Sequence, residues 1–284
     1  MEVLFKKLET IKELEAMASL ETRVWAMKPI PLHQTFTAAK NGGIVIGAYE
    51  GQQMIGFIYS FPGFAQGEPY LCSHMMGIDS DYQNRGIGYL LKMKQAEEAR
   101  KLGYDKIKWT YDPLESRNAY LNIVKLGAIC SEYIENCYGE MTDGLNRGIA
   151  SDRFNVEWHI NSPYLHKRIL FANLSIQPDA MVLGWQLRKD GYPQALIKDL
   201  AVMSQSNLPF LFVSIPSEFQ KIKQVDLELA VEWRLQTRRV FREAFAGGWM
   251  VCHAIRCTNC PIQYSVLIKK EKLSFNNSKE NGGI

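Results

Sequence analysis

The segment Met75-Met-Gly-Ile-Asp-Ser-Asp-Tyr-Gln-Asn-Arg-Gly-Ile-Gly-Tyr-Leu-Leu91 constrains this chain more than any other. An apolar run that reads as a strand gives way to a short polar turn, and Gln83-x-x-Gly86-x-Gly88 then opens an amphipathic helix. Glycines at such a turn let the backbone approach a ligand closely, and the N–H groups of the first helical turn have no partner inside the helix. They point outward together, which favours an anion such as a pyrophosphate. Arg85 adds a positive side chain beside them. Two glycines also serve an ordinary helix start, so the surrounding order of elements must decide between the two readings. A Rossmann unit needs a third glycine, where this chain has Leu91, and a βαβ unit near the N-terminus, where this chain has three earlier strands. A Walker P-loop is absent from the sequence.

Along the chain, Val3–Leu8 reads as a strand, and Thr10 with Glu13 forms a capping box for a helix through Trp25 that ends before Pro29 and Pro31. Ile44–Tyr49 and Met54–Tyr59 read as a hairpin, Tyr70–Ile78 as a fourth strand, and Gly88–Leu102 as a helix closed by Gly103. Lys106–Tyr111 follows as a strand, Ser116–Leu126 as a helix stopped by Gly127, and Ala128–Tyr138 and Arg153–Ile160 as strands. This is a mixed α/β order. The 284 residues suggest two domains, at roughly 100 to 200 residues per domain. Asn161-Ser162-Pro163 is the expected boundary, giving domains over 1–160 and 161–273. The second is a smaller α/β unit with strands near Ala180–Leu187, Pro209–Ile215, Trp249–Ile255 and Gln263–Ile268 and a long helix over Asp226–Phe245. Residues 274–284, rich in Asn, Ser, Lys and Gly, read as a flexible tail. No internal repeat stands out.

Composition narrows the function classes. Lys and Arg number 33 against 30 Asp and Glu, and the halves carry −2 (residues 1–150) and +5 (residues 151–284), far from the basic stripe of a nucleic-acid binder. No uncharged apolar stretch reaches the ~18 residues of a membrane span. Charges interrupt the N-terminus where a signal peptide needs its apolar segment, so the expected compartment is cytoplasmic and reducing. Cys257-Thr-Asn-Cys260, with Cys252 and His253 before it, could formally supply four zinc ligands. Cys252 lies in an apolar run, however, and adjacent ligands converge poorly on one ion. Reduced structural thiols and no metal are the expectation.

The order strand, Gln-x-x-Gly-x-Gly turn, helix, strand, and second helix ending in Lys125-Leu126-Gly127 resembles the GNAT N-acyltransferase superfamily over roughly residues 1–160. The resemblance implies a mixed central sheet flanked by helices, with acetyl-CoA or another acyl-CoA as co-substrate. It places Gln83, Asn84, Arg85, Gly86, Ile87, Gly88 and Tyr89 around the pyrophosphate. It sets Met76, Gly77 and Ile78 beside the pantetheine arm where the fourth and fifth strands part, with the Met76 or Gly77 N–H facing the carbonyl as it becomes an oxyanion. On the second helix the alignment puts Ser116 where the family has Asn, Ala119 on its Ala, and Ile123 where a tyrosine usually protonates the departing thiolate. Tyr120, one turn earlier, is the candidate replacement, and Asn118 or Asn122 offers hydrogen bonds. A thiol of pKa near 8.5 can also leave without an acid.

The acceptor amine must lose a proton before or as it attacks, and His74 and Asp112 are the candidate bases. Arg147 and Arg153, in and after the Gly139–Asp152 loop that also holds Asp143 and Asn146, are candidates to hold a carboxylate. Arg234, Arg238 and Arg242 recur at i, i+4, i+8. They read as a solvated row partnered by Glu232 and Glu243, or as a basic lip. The expected function is transfer of an acetyl group from CoA to a primary amine of a small molecule. The alternatives are an amino-acid acyltransferase using a dicarboxylic donor such as succinyl-CoA, a protein or peptide acetyltransferase, and a non-catalytic CoA-binding regulatory module. Nucleic acid and membrane are not expected partners; a homodimer is allowed.

Overall fold

A computed structural model describes residues 2–140, 147–162, 164, 171, 174–198, 200–204 and 208–273. Asp143, Asn146, Pro163 and the tail over 274–284 lie outside the described residues. The chain divides into two compact units, Met1–Trp109 with His159–Asn161, and Thr110–Trp158 with Ser162–Ile284. This division cuts across the boundary expected after residue 160. The reason is packing: the hairpin of β6 (Ile129–Ile134) and β7 (Arg153–His159) pairs with β11 (Trp249–Arg256) through Val251 opposite Cys130. No helix among the described residues is long and apolar enough to cross a membrane.

In the first unit, β1 (Leu4–Lys7), β2 (Ile44–Glu50), β3 (Gln53–Ala65) and β4 (Glu68–Ile78) pair antiparallel in that order. β4 then runs parallel to β5 (Lys106–Tyr111). The capping box starts α1 (Ile11–Trp25) as expected: the Glu13 N–H donates to Thr10 Oγ1, and the Thr10 N–H to the Glu13 carboxylate. Leu14, Met17 and Leu20 of α1 bury against Val45, Phe57 and Tyr59. The sequence reading missed α2 (Leu32–Lys40), which opens directly on Pro31 and packs on the same cluster. Strand alternation turns Gly56 away from that face, and there Leu91 of α3 (Ile87–Lys101) approaches it.

In the second unit the strands lie in the order β7, β6, β11, β12 (Ile262–Lys269), β10 (Leu211–Pro216), β8 (Met181–Leu187), β9 (Pro193–Ile197). β9 and the short helix α5 (Phe219–Val225) were not foreseen. The long helix α6 (Leu227–Ala246) buries Trp233, Val240 and Phe241, the last edge-on to Phe154 of β7 at 4.7 Å. The helix expected over Ser116–Leu126 is α-helical only at α4 (Ser116–Ala119) and continues as a π-turn through Tyr120–Lys125. β6 stops at Ile134 rather than Tyr138, because Asn136 takes a left-handed conformation (φ 41°) and its N–H turns to Asp152 Oδ1.

Candidate active site

In the first unit the glycine turn lies at a helix N-terminus. Gly86 caps α3 with φ 81° and gives no side-chain hydrogen bond to the first-turn N–H groups. A Cβ at Gly86 would meet nothing within 4 Å, which leaves space in front of those groups. Asn84 is also left-handed (φ 62°). Arg85 donates to the Asp81 carbonyl at 2.7 Å and lies over the Tyr82 ring, so the turn braces its guanidinium on the exposed surface. Gln83 reaches back to the Ile78 carbonyl at 3.4 Å and ties the turn to the end of β4. Gly88 sits against the Met76 methyl, where a Cβ would come within 3.3 Å.

β4 presents an open edge just before this turn. Its pairing with β5 consists of Leu71 opposite Ile107 and Cys72 opposite Lys108, and then ends. From Ser73 onward the β5-facing edge is unpaired. Asp79 gives its N–H to Ile55 of the β3 side, so alternation commits the Gly77 N–H to β3 as well and turns those of Met76 and Ile78 to the gap. Of the two expected oxyanion donors, the geometry therefore favours Met76. Gly77 has a packing role instead: a Cβ there would come within 2.7 Å of Phe57 and 3.1 Å of Trp25.

His74 is exposed, with its ring edge-on to Tyr59 at 6.0 Å and tilted on Phe61 at 5.6 Å. These rings partly desolvate the imidazole and lower its pKa below the usual 6.5. The sequence reading overlooked its neighbour. Lys92 of α3 is 3% exposed, its Nζ lies 2.8 Å from Ser73 Oγ, and it sits over the Trp109 ring 3.6 Å from the centroid. Gln95 Nε2 donates to the same Ser73 oxygen at 3.0 Å. The only signal in the sequence was a lysine between Leu91 and Gln95 on the inward face of α3.

The remaining candidates belong to the second unit. The exposed Asn118 and the half-buried Tyr120 flank the start of the π-turn, a distortion often found at functional sites. The Arg256 guanidinium covers the Tyr120 ring at 3.6 Å, and the Tyr120 hydroxyl makes no hydrogen bond among the described residues. Ile123 and Asn122 are buried. Asp112 is held at both oxygens by Arg234, itself 1% exposed, with Arg153 Nη1 3.8 Å away. A carboxylate engaged in this way is an anchor and a poor base. Arg153 is likewise buried, on Asp112 and the Asp152 carbonyl, while Arg147 is exposed. The arginine row is not partnered by Glu232 and Glu243: Arg234 takes Asp112, Arg238 takes Asp152 at 2.8 Å, and Arg242 takes Glu135 at 2.6 Å. Contrary to the expectation of reduced thiols, Cys257 and Cys260 form a disulfide, and the buried Cys252 thiol donates to the Val266 carbonyl.

Residues 9–122 match the acetyltransferase (GNAT) family. They form a GNAT acetyltransferase domain. A search of curated proteins finds no match. Among solved structures, the GNAT-family acetyltransferase from Streptococcus pneumoniae is 15% identical, with 55% of this chain and 98% of that one covered and a TM-score of 0.45. The ribosomal-protein-S18-alanine N-acetyltransferase from Escherichia coli is 17% identical (62% and 100% covered, TM-score 0.46). The yncA protein from Salmonella typhimurium, determined with its cofactor acetyl-CoA, is 11% identical (57% and 95% covered, TM-score 0.45).

The family matched over residues 9–122 is one of acyltransferases. The turn and the open β4 edge are the features of the first unit that could hold an acyl-CoA: a glycine-lined helix N-terminus for a pyrophosphate, and the Met76 and Ile78 amides for an extended amide chain. Ile123, where the resemblance expects a tyrosine, is apolar and 1% exposed.

Proposed function

We propose that this chain transfers an acetyl group from acetyl-CoA to a primary amine of a small molecule. The observation that carries this reading is the continuity of the open β4 edge with the uncapped, glycine-lined N-terminus of α3. An extended donor with an amide arm and an anionic end matches both. When bound, acetyl-CoA supplies the activated acyl carbon. Gln83–Tyr89 hold its pyrophosphate through backbone N–H groups, with Arg85 adding charge. Met76 and Ile78 pair with the pantetheine, and the Met76 N–H stabilises the oxyanion as the amine nitrogen bonds to the carbonyl carbon. Removing one such donor typically costs about 3 kcal/mol of barrier.

The C–S bond then breaks with its electron pair on sulfur, and the family resemblance makes Tyr120, whose hydroxyl has no hydrogen bond among the described residues, the candidate to protonate it. The nitrogen gives up its proton on the β4 side of the first unit, where His74 and the Ser73–Lys92 pair are the two available acceptors. An acetyl donor is favoured over a dicarboxylic one because Arg153 is committed to Asp112 and Asp152, which leaves Arg147 alone of the two expected carboxylate holders.

Thiol release from acetyl-CoA and succinyl-CoA, measured over a panel of primary amines, tests the reading. Acetyl-CoA with at least one amine should release thiol. Donor binding without release on any amine would leave a CoA-binding module instead. Gly86→Asp puts a side chain and a negative charge in the open space before the helix end, and calorimetry should show acetyl-CoA binding lost. Parental affinity in that variant would place the coenzyme elsewhere.

A further inference from the structure

Lys92 is a buried cation with no carboxylate within ion-pair distance among the described residues. Taking an ammonium out of water is costly unless a counter-charge is present, and Lys92 has only a hydroxyl and a ring. Around it, Ser73 faces it from β4, Gln95 from α3 and Trp109 from β5. Cys72, the preceding residue of β4, is the titratable group that acts on Lys92 electrostatically, and burial raises its thiol pKa, so it supplies no negative charge at neutral pH. Burial accordingly lowers Lys92 to about 7, where half the molecules carry a neutral amine. Gln95 Oε1 is buried and without a hydrogen-bond partner, an acceptor left over in the same cluster.

The position of this cluster gives it a use. Ser73 is the first residue of β4 beyond its last pair with β5, at the crotch of the gap along which the donor is proposed to lie. It stands three residues from Met76, roughly 10 Å along the strand. An acceptor nitrogen and one bridging water would span that distance between the reacting carbonyl and the Ser73 hydroxyl. The Ser73 oxygen already accepts from Gln95, and its 2.8 Å contact with Lys92 serves in either direction. A charged Lys92 donates to the hydroxyl, and a neutral one accepts from it.

We propose that Ser73 and Lys92 form the proton relay that deprotonates the acceptor amine, with Lys92 as the terminal proton acceptor. This rests on the acyltransferase reading above. As the N–C bond forms, the nitrogen's proton passes through the bridging water to Ser73 Oγ, and the Ser73 proton passes to the lone pair of Lys92 Nζ. The serine ends unchanged, the lysine ends as an ammonium over Trp109, and the C–S electron pair leaves on sulfur. Lys92 acts through Ser73 and is a positioning residue by contact, so its test must read protons as well as rate.

The acidic limb of the turnover profile carries the distinction. A relay ending on Lys92 needs the neutral amine, so turnover should fall as pH drops through about 7. A relay ending on His74 would place the fall below the usual histidine value of 6.5. Lys92→Met replaces a buried cation by an apolar chain of similar volume, a change that is often neutral or stabilising. It should melt at or above the parental temperature, lose about 10²-fold in turnover with the acetyl-CoA KM retained, and lack the limb near 7. Ser73→Ala should behave alike, and decides the matter if Lys92→Met does not fold. His74→Ala should keep the limb. Parental turnover and limb in Lys92→Met, or in Ser73→Ala, would overturn the relay. Independently of turnover, NMR of 13Cε-labelled lysine should show one resonance, absent in Lys92→Met, titrating near 7. An ordinary lysine midpoint near 10.4 would refute the relay even in a fully active enzyme. A midpoint near 7 with no thiol release on any amine would instead condemn the acyltransferase reading alone.

Discussion

At the residue scale, the buried pair Arg234–Asp112 shows how one partner changes a reading. As an isolated carboxylate after a strand, Asp112 is a plausible base. With a guanidinium on both oxygens it is a structural anion. Asp112→Ala would leave Arg234 charged and buried, with its Nε already lacking a hydrogen-bond partner. The expected loss is about 3–5 kcal/mol in urea denaturation. A base role would instead lower turnover with stability intact. The arginine spacing was visible in the sequence, but the partner was not, because it lies 122 residues away and no local pattern encodes it.

At the element scale, α3 and the π-turn carry the proposed chemistry in different ways. The N-terminus of α3 was legible because its conformation depends on local glycines: Gly86 takes φ 81°, which L side chains rarely adopt. The π-turn was not legible, since Ser116–Leu126 has ordinary helical periodicity and the extra residue per turn comes from packing. Tyr120→Phe keeps the ring beneath Arg256 and removes only a hydroxyl with no hydrogen bond among the described residues. Melting should be unchanged, while steady-state turnover should fall about 10²-fold if this hydroxyl protonates the leaving sulfur. Parental turnover would mean that the thiolate leaves unaided. On α1, Thr10→Ala should cost about 1 kcal/mol in chemical denaturation through loss of the capping box.

At the scale of the whole molecule, a parallel strand pair followed by helix and hairpin occurs twice. β4 and β5, joined by α3 and followed by α4 with its π-turn and the hairpin β6–β7, have as counterpart β8 and β10, followed by α5, α6 and the hairpin β11–β12. The two hairpins meet at β6 and β11. No repeat was seen in the sequence because the second set has no glycine turn after β8 and inserts β9. Acid should act on the second unit through Asp152, whose side chain is fully buried. Burial alone would raise its pKa, but two bonds from Arg238, the Asn136 N–H and the Tyr133 hydroxyl outweigh burial and hold it below 3.8. A depressed carboxylate contributes stability above its unfolded pKa of about 3.9 that is lost as pH falls through the folded value. Fluorescence of the buried Trp158 and Trp233 should therefore report an acid transition below about pH 4 that Asp152→Asn weakens.

What the sequence determined by itself was whatever depends on neighbours in the chain. The strand, glycine turn and helix at Met75–Leu91, the capping box at Thr10, and the placing of strands along the first unit all follow from residues a few positions apart. Tertiary structure decided everything that depends on distant partners. It chose Asp112, Asp152 and Glu135 for the arginine row, joined Cys257 to Cys260, ended the β4–β5 pairing at Cys72, and buried Lys92 against Ser73 and Trp109. A lysine on a helix reads as solvent-facing by composition. Only the packing of α3 on β4 and β5 removes its water, and the cost of that desolvation moves its proton affinity into the range where it can take part in acyl transfer.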